Sequence, residues 1–122
     1  GTPLIAAASL AVLETIEEEN LLQNVVTNSE YVLKRLNELK TEFPEYILDI
    51  RGAGFMIGIQ IADSSFDVVA ELREGGLILP PAGVDVVRFL PALTATKQDF
   101  DKALEIFSSA VRKRATANHA AV

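Results

Sequence analysis

Cysteine is absent from this 122-residue sequence, and histidine occurs once, as His119. The first absence excludes a disulfide framework and any thiolate nucleophile or ligand, and it fits a reducing compartment such as the cytoplasm. The second leaves serine without the base that nucleophilic catalysis needs, because His119 falls in a stretch, 115–122, expected to fray. It also has no second histidine or cysteine with which to complete a metal site. Positive charge is scarce: 11 basic against 17 acidic side chains give a net charge of −6. Such a surface repels phosphate backbones and anionic headgroups, so nucleic acid is not an expected partner. The only basic cluster, Arg112-Lys113-Arg114, reads as closing the last helix, where it complements the macrodipole. Long apolar runs are missing as well. The stretch from Leu4 to Leu13 is broken by Ser9 and meets Glu14 well short of the roughly 20 residues that cross a bilayer. No basic segment precedes it, and no membrane span is expected.

What is present is an ordinary folding composition, about half apolar and a quarter charged, in a chain the size of one domain. The chain opens on Gly1-Thr2-Pro3, not methionine, and goes straight into a helical pattern, as a cut end of something longer would. From Pro3 to Glu19 small and apolar residues dominate. The alanine-rich opening Ala6-Ala7-Ala8 lets another backbone approach, so residues 1–19 are expected to pack on a neighbour outside the chain. Asn20 is the expected break and N-cap of a second helix, whose Leu22, Val25, Val26, Ser29, Val32, Leu33, Leu36 and Leu39 share a face. Pro44 ends it.

Beyond Pro44 the period changes. Tyr46–Arg51 and Phe55–Ile61 read as adjacent antiparallel strands, and Phe66–Glu74 as a short helix capped by Ser64 or Ser65 and ended by Gly75-Gly76. Leu77-Ile78-Leu79 is expected as a third strand, Pro80-Pro81-Ala82-Gly83 as a turn, and Val86–Leu90 as a fourth strand. Thr96-Lys97-Gln98-Asp99 resembles a capping box before a last helix with Phe100, Ala103, Leu104, Phe107 and Val111 inward. The expected class is α+β: a small, mostly antiparallel sheet covered by helices, with residues 20–114 as the domain proper.

Gly52, Gly54 and Gly58 do not make a phosphate loop, since an apolar strand follows them where a helix N-terminus would be needed. Carboxylates stand mostly on solvent faces of helices, which supports no paired acid and base. One residue stands out. Arg88 puts a permanent charge inside Val86-Val87-Arg88-Phe89-Leu90. It either lies over apolar neighbours with its head in water or offers its planar fork of donors to an anion.

Three segments then carry a family resemblance: Gly1-Thr2-Pro3-Leu4-Ile5-Ala6-Ala7-Ala8, Asp49-Ile50-Arg51-Gly52-Ala53-Gly54-Phe55-Met56-Ile57-Gly58-Ile59, and Val86-Val87-Arg88-Phe89-Leu90-Pro91-Ala92-Leu93. In this order and spacing the chain, up to about Arg114, resembles the C-terminal part of class III pyridoxal-phosphate aminotransferases, most closely the acetylornithine and ornithine branch. The resemblance implies the small C-terminal domain of a fold-type-I aminotransferase, joined by residues 1–19 to a cofactor domain that the chain lacks. The cofactor-bearing lysine of the family lies upstream, and none of Lys34, Lys40, Lys97, Lys102 or Lys113 matches it. Thr2 stands where the family usually has asparagine, so no phosphate role passes to it, and Pro91-Ala92 replaces a usual proline pair. By resemblance Arg88 is the substrate-binding residue, meeting a substrate carboxylate or a glutamate of the large domain, and Arg51 is structural. No catalytic, cofactor-binding or metal-binding residue is expected in the chain, which alone should bind no pyridoxal phosphate and be inactive. The implied parent is a cytoplasmic homodimer with active sites at the subunit interface. It moves the terminal amino group of N-acetylornithine or ornithine to 2-oxoglutarate, in arginine biosynthesis. The alternatives are an enzyme acting on 4-aminobutyrate or another ω-amine, and a non-catalytic binding or oligomerisation module.

Overall fold

Thr2 and Pro3 start the first helix by two devices at once. The Thr2 hydroxyl accepts the Ile5 N–H at 3.3 Å, and Pro3 occupies the first turn, where its missing N–H costs nothing. In the computed structural model, which describes residues 1–120, this helix is α1 (Pro3–Glu18). It is followed by α2 (Leu21–Glu42), β1 (Ile47–Ala53), β2 (Met56–Ile61), α3 (Ser65–Glu74), β3 (Val86–Phe89) and α4 (Lys97–Ala120). Asn20 makes the break between α1 and α2 in the left-handed region, with φ 52°, but its side chain caps nothing. Asparagine is among the few residues that tolerate this conformation.

The three strands form one antiparallel sheet in the order β1-β2-β3. Ala53 pairs with Met56, so the β1–β2 hairpin turns on Gly54-Phe55, with φ +55° at Gly54. Gly52 is obligatory for a second reason: at φ +145° an added Cβ would lie 2.0 Å from the Met56 carbonyl oxygen. The alternation of β2 sends Ile57, Ile59 and Ile61 to one face, joined there by Ile47, Val87 and Phe89, all at 2% exposure or less. Val32, Leu36 and Leu39 of α2, Val68, Val69 and Leu72 of α3, and Phe100, Leu104, Phe107 and Val111 of α4 cover this face as one core. Phe100 is its pivot, with ring centroids 5.2 Å from Phe55 and 6.4 Å from Phe89. The expected α+β arrangement, helices on one side of a small antiparallel sheet, is therefore what forms.

Two expectations need correction. Leu77-Ile78-Leu79 is not a strand, although Leu79 is buried. The segment that runs beside β3 lies further on. There the Pro80 carbonyl accepts the Arg88 N–H at 2.9 Å, the Ala82 N–H donates to Val86 at 2.8 Å, and Pro81 forms an isolated bridge with Val87. Two consecutive prolines cannot donate to a ladder, so pairing there never extends into a strand. The chain also does not lose helical order after Arg114, since α4 continues to Ala120. Arg114 is anchored from both sides, Ala115 packs on the core, and the Thr116 hydroxyl bonds back to the Arg112 carbonyl. Residues 121–122 lie outside the described range. The start of α4 is as expected. The Asp99 carboxylate accepts the Thr96 N–H at 2.8 Å while the Thr96 hydroxyl accepts the Asp99 N–H at 3.3 Å, a reciprocal capping box.

Candidate functional site

Among the described residues, the helices that cover the sheet, α2, α3 and α4, pack on its core-facing side. Register places Arg51 of β1 opposite Gly58 of β2, and Gly58 opposite Arg88 of β3, so the two arginines flank one glycine on the other, outer face. Because the Arg88 N–H points to Pro80, Gly58 and Arg88 form a pair without mutual ladder bonds, the kind in which side chains come closest. Gly58 and Arg51 form the hydrogen-bonded kind. The two Cα–Cα separations, about 4.5 and 5.5 Å, set the arginine stems about 10 Å apart across the glycine. The neighbouring row of the same face is Asp49, Gln60 and Val86.

The two arginines differ in their partners. Arg51 donates from Nη1 to the Asp49 carboxylate at 2.8 Å and to Gln60 Oε1 at 3.3 Å. Gln60 in turn donates to Asp85 at 2.8 Å, and Lys40 lies 3.9 Å from Asp49. The Arg51 hydrogen bond holds the Asp49 carboxyl below the usual carboxylate range. The exposed Arg88 side chain has no hydrogen bond and no ion pair among the described residues. One guanidinium is tied off within the chain and the other is available to an anion.

A lysine that forms a Schiff base must lose its proton readily, which calls for burial or a cationic neighbour. Lys97 has the opposite setting, its pKa raised by a hydrogen bond to Asp101 at 3.1 Å. Lys113 is held by Glu71 at 2.9 Å and Lys40 lies near Asp49, while Lys34 and Lys102 are exposed on helices. Thr2 is an exposed cap. His119 is exposed too and lies 3.7 Å from Glu45, and no cluster of three metal-ligating side chains occurs among the described residues.

The basic cluster of α4 needs a different account from the macrodipole one, because the helix runs on beyond it. Arg112 pairs with Glu42 at 3.2 Å. Lys113 and Arg114 both bind Glu71, and Arg114 also donates to Asp63 at 2.8 Å. Asp63 accepts from the Tyr46 hydroxyl at 3.0 Å as well. Burial alone would raise the Asp63 pKa, but hydrogen bonds from Arg114, the Ser64 N–H and Tyr46 outweigh it and the net shift is downward. Glu71 is lowered by its bonds from Lys113 and Arg114. Burial, then Asp63, pushes Tyr46 upward, so its hydroxyl stays a donor. This clasp joins α4 to α3 and to the start and end of the β1–β2 hairpin, and it serves the fold. Nothing in the local sequence marks it, since its members are separated by 51 and 43 positions.

Helices α2, α3 and α4 cover one face of the sheet, and the other face presents an exposed arginine beside a glycine. The chain belongs to the class III aminotransferase family: the model described as Aminotransferase class-III matches residues 1–111. It is 41% identical over 115 residues to acetylornithine aminotransferase of Synechocystis sp., covering 91% of this chain and 27% of that protein. It is 42% identical over 126 residues to alanine/serine racemase of Pyrococcus horikoshii, covering 95% and 26%. The N-acetylornithine aminotransferase structure from Stenotrophomonas maltophilia superposes with a TM-score of 0.85 at 26% identity, over 96% of this chain and 33% of that one. The fold is thus a part of the fold-type-I aminotransferase fold, and the chain spans about a quarter of the length of the curated relatives it matches. Aminotransferases of this class use pyridoxal phosphate.

Proposed function

We propose that this chain is the small C-terminal domain of a transaminase that moves the terminal amino group of N-acetylornithine, or ornithine, to 2-oxoglutarate, a step of arginine biosynthesis. The whole enzyme would be a cytoplasmic homodimer, with pyridoxal phosphate held by other parts of the longer protein. The chain's own contribution is charge and orientation: Arg88 binds a carboxylate of the amino acid or the oxo acid. Alone, the chain is catalytically silent. The observation that carries this reading is the unpartnered Arg88 on the outer sheet face in a chain 41% identical to an acetylornithine aminotransferase. Helix α1 fits the same picture, with Leu4, Ile5, Leu10, Val12 and Leu13 all exposed and ready to be covered by the cofactor domain.

A second reading rests on the 42% identity to an alanine/serine racemase, in which the same arginine would orient the carboxylate of an amino acid that keeps its amine. The full-length protein should be assayed with N-acetylornithine, ornithine and 4-aminobutyrate against 2-oxoglutarate, and with L-alanine for racemisation. The expected result is the highest kcat/KM with N-acetylornithine or ornithine. Faster turnover of 4-aminobutyrate, or racemisation without transamination, would overturn the assignment.

A further inference from the structure

Gly58 is the residue of the outer face that the chain itself does not explain. Its φ is not in the left-handed region, unlike that of Gly52, Gly54, Gly76 and Gly83. A Cβ built on it would meet Val86 Cγ1 at 3.5 Å, the Arg51 carbonyl at 3.8 Å and Arg51 Cγ at 4.0 Å, all ordinary contacts. It sits in the middle of β2, the central strand, where glycine weakens a sheet by offering nothing to pack and more entropy to lose. Neither backbone angle nor crowding within the chain calls for glycine here, which turns attention to what could approach the outer face.

Such a group has a chemical identity in the surroundings. Gly58 forms with Arg88 the close, non-ladder-bonded kind of pair, and Arg88 is the guanidinium left without a partner. Across the strand Arg51 is held by Asp49 and Gln60. Without a side chain at Gly58, the surface of β2 there is bordered by Val86 Cγ1 and Arg51 Cγ and by Arg88 on β3, so a flat carboxylate can approach the strand while Arg88 binds it with its donor fork.

We propose that Gly58 is a specificity-determining residue, kept without a side chain so that the substrate carboxylate bound by Arg88 can seat over β2. This deepens the transaminase reading and rests on it. The test uses the full-length enzyme with Gly58→Ala and Gly58→Val, measuring KM, kcat and the thermal midpoint. Valine favours strands, so the proposal expects opposite signs: a thermal midpoint unchanged or raised, with KM for 2-oxoglutarate up by about threefold for Gly58→Ala and tenfold or more for Gly58→Val. In an Arg88→Ala background Gly58→Val should add less than twofold, because the seat is already lost. Unchanged KM at retained thermal midpoint overturns the proposal. So does a lowered midpoint in both variants, which would mean that another part of the protein packs on Gly58. A wild-type enzyme without transaminase activity would instead sink the functional reading on which the inference stands.

Discussion

Arg51 and Arg88 flank the same glycine on the same face, yet only Arg51 finds its anion within the chain. A strand position fixes which face a side chain occupies, while the neighbouring row decides whether its charge is satisfied. Here Asp49 and Gln60 stand beside Arg51, and the Asp85 carboxylate is taken up by Gln60. The oddity of a charge among Val86, Val87, Phe89 and Leu90 was legible in the sequence. Its pairing with Gly58 was not, because register across two strands leaves no local trace. Glycines carry a similar lesson. Gly52 is there for its own backbone, and Gly52→Ala should destabilise the chain by about 2 kcal/mol or more in denaturant titration, the cost of an unfavourable backbone conformation plus a clash. A loss under 0.5 kcal/mol would show that the Gly52–Met56 turn relaxes freely.

At the scale of elements, periodicity found all four helices and three of the four expected strands. It failed where apolar character and pairing parted company. Leu77-Ile78-Leu79 has the composition of a strand and supplies the core with Leu79, but the prolines that follow leave β3 only an isolated bridge and two hydrogen bonds on that side. The end of α4 was misplaced for the complementary reason, since its stabilising partners, Asp63 and Glu71, are distant in sequence. Those partners make the α4 clasp pH-dependent. Both carboxyls are held below their ordinary values in the folded chain, so the stability they contribute is complete above about pH 5 and is lost as the pH falls through their depressed folded values. Arg114→Met should cost about 2–3 kcal/mol at pH 7, because it takes the Arg114 donor from Asp63 and one of the two donors from Glu71, both largely shielded. At acidic pH, once the fall through their depressed folded values has protonated both carboxyls, the difference from the unmutated chain should fall below roughly 1 kcal/mol. Urea titrations of both chains at the two pH values check this, and a penalty equal at both would show that Arg114 acts through packing alone.

At the scale of the whole molecule, the sheet's inner face is filled by α2, α3 and α4, α1 buries none of its residues, and Arg51 and Arg88 stand exposed on the outer face. The chain carries a −6 charge, no cysteine and a single, exposed histidine. Its lysines are each either paired with an acid or on an open helix face. Mixed with pyridoxal phosphate, this chain should therefore develop no internal-aldimine absorbance, and borohydride treatment should label no single lysine. One specific, stably trapped lysine would put cofactor chemistry inside the chain. The sequence showed the α+β layering and the family resemblance because both rest on patterns within segments. Which face of the sheet the helices cover depends on how α2, α3 and α4 choose among two faces, and that is decided by the summed packing of Ile57, Ile59 and Ile61 against three helices.

The central claim is that Arg88 serves as the carboxylate-binding wall of a transaminase site. Steady-state kinetics of Arg88→Ala in the full-length enzyme test it most directly. A charge-assisted contact of about 1.5–3 kcal/mol predicts a tenfold or greater rise in KM for 2-oxoglutarate or the amino donor, or a matching fall in the rate of the half-reaction that uses it. Kinetics unchanged with both substrates would contradict the claim and return Arg88 to a solvated arginine on an open sheet.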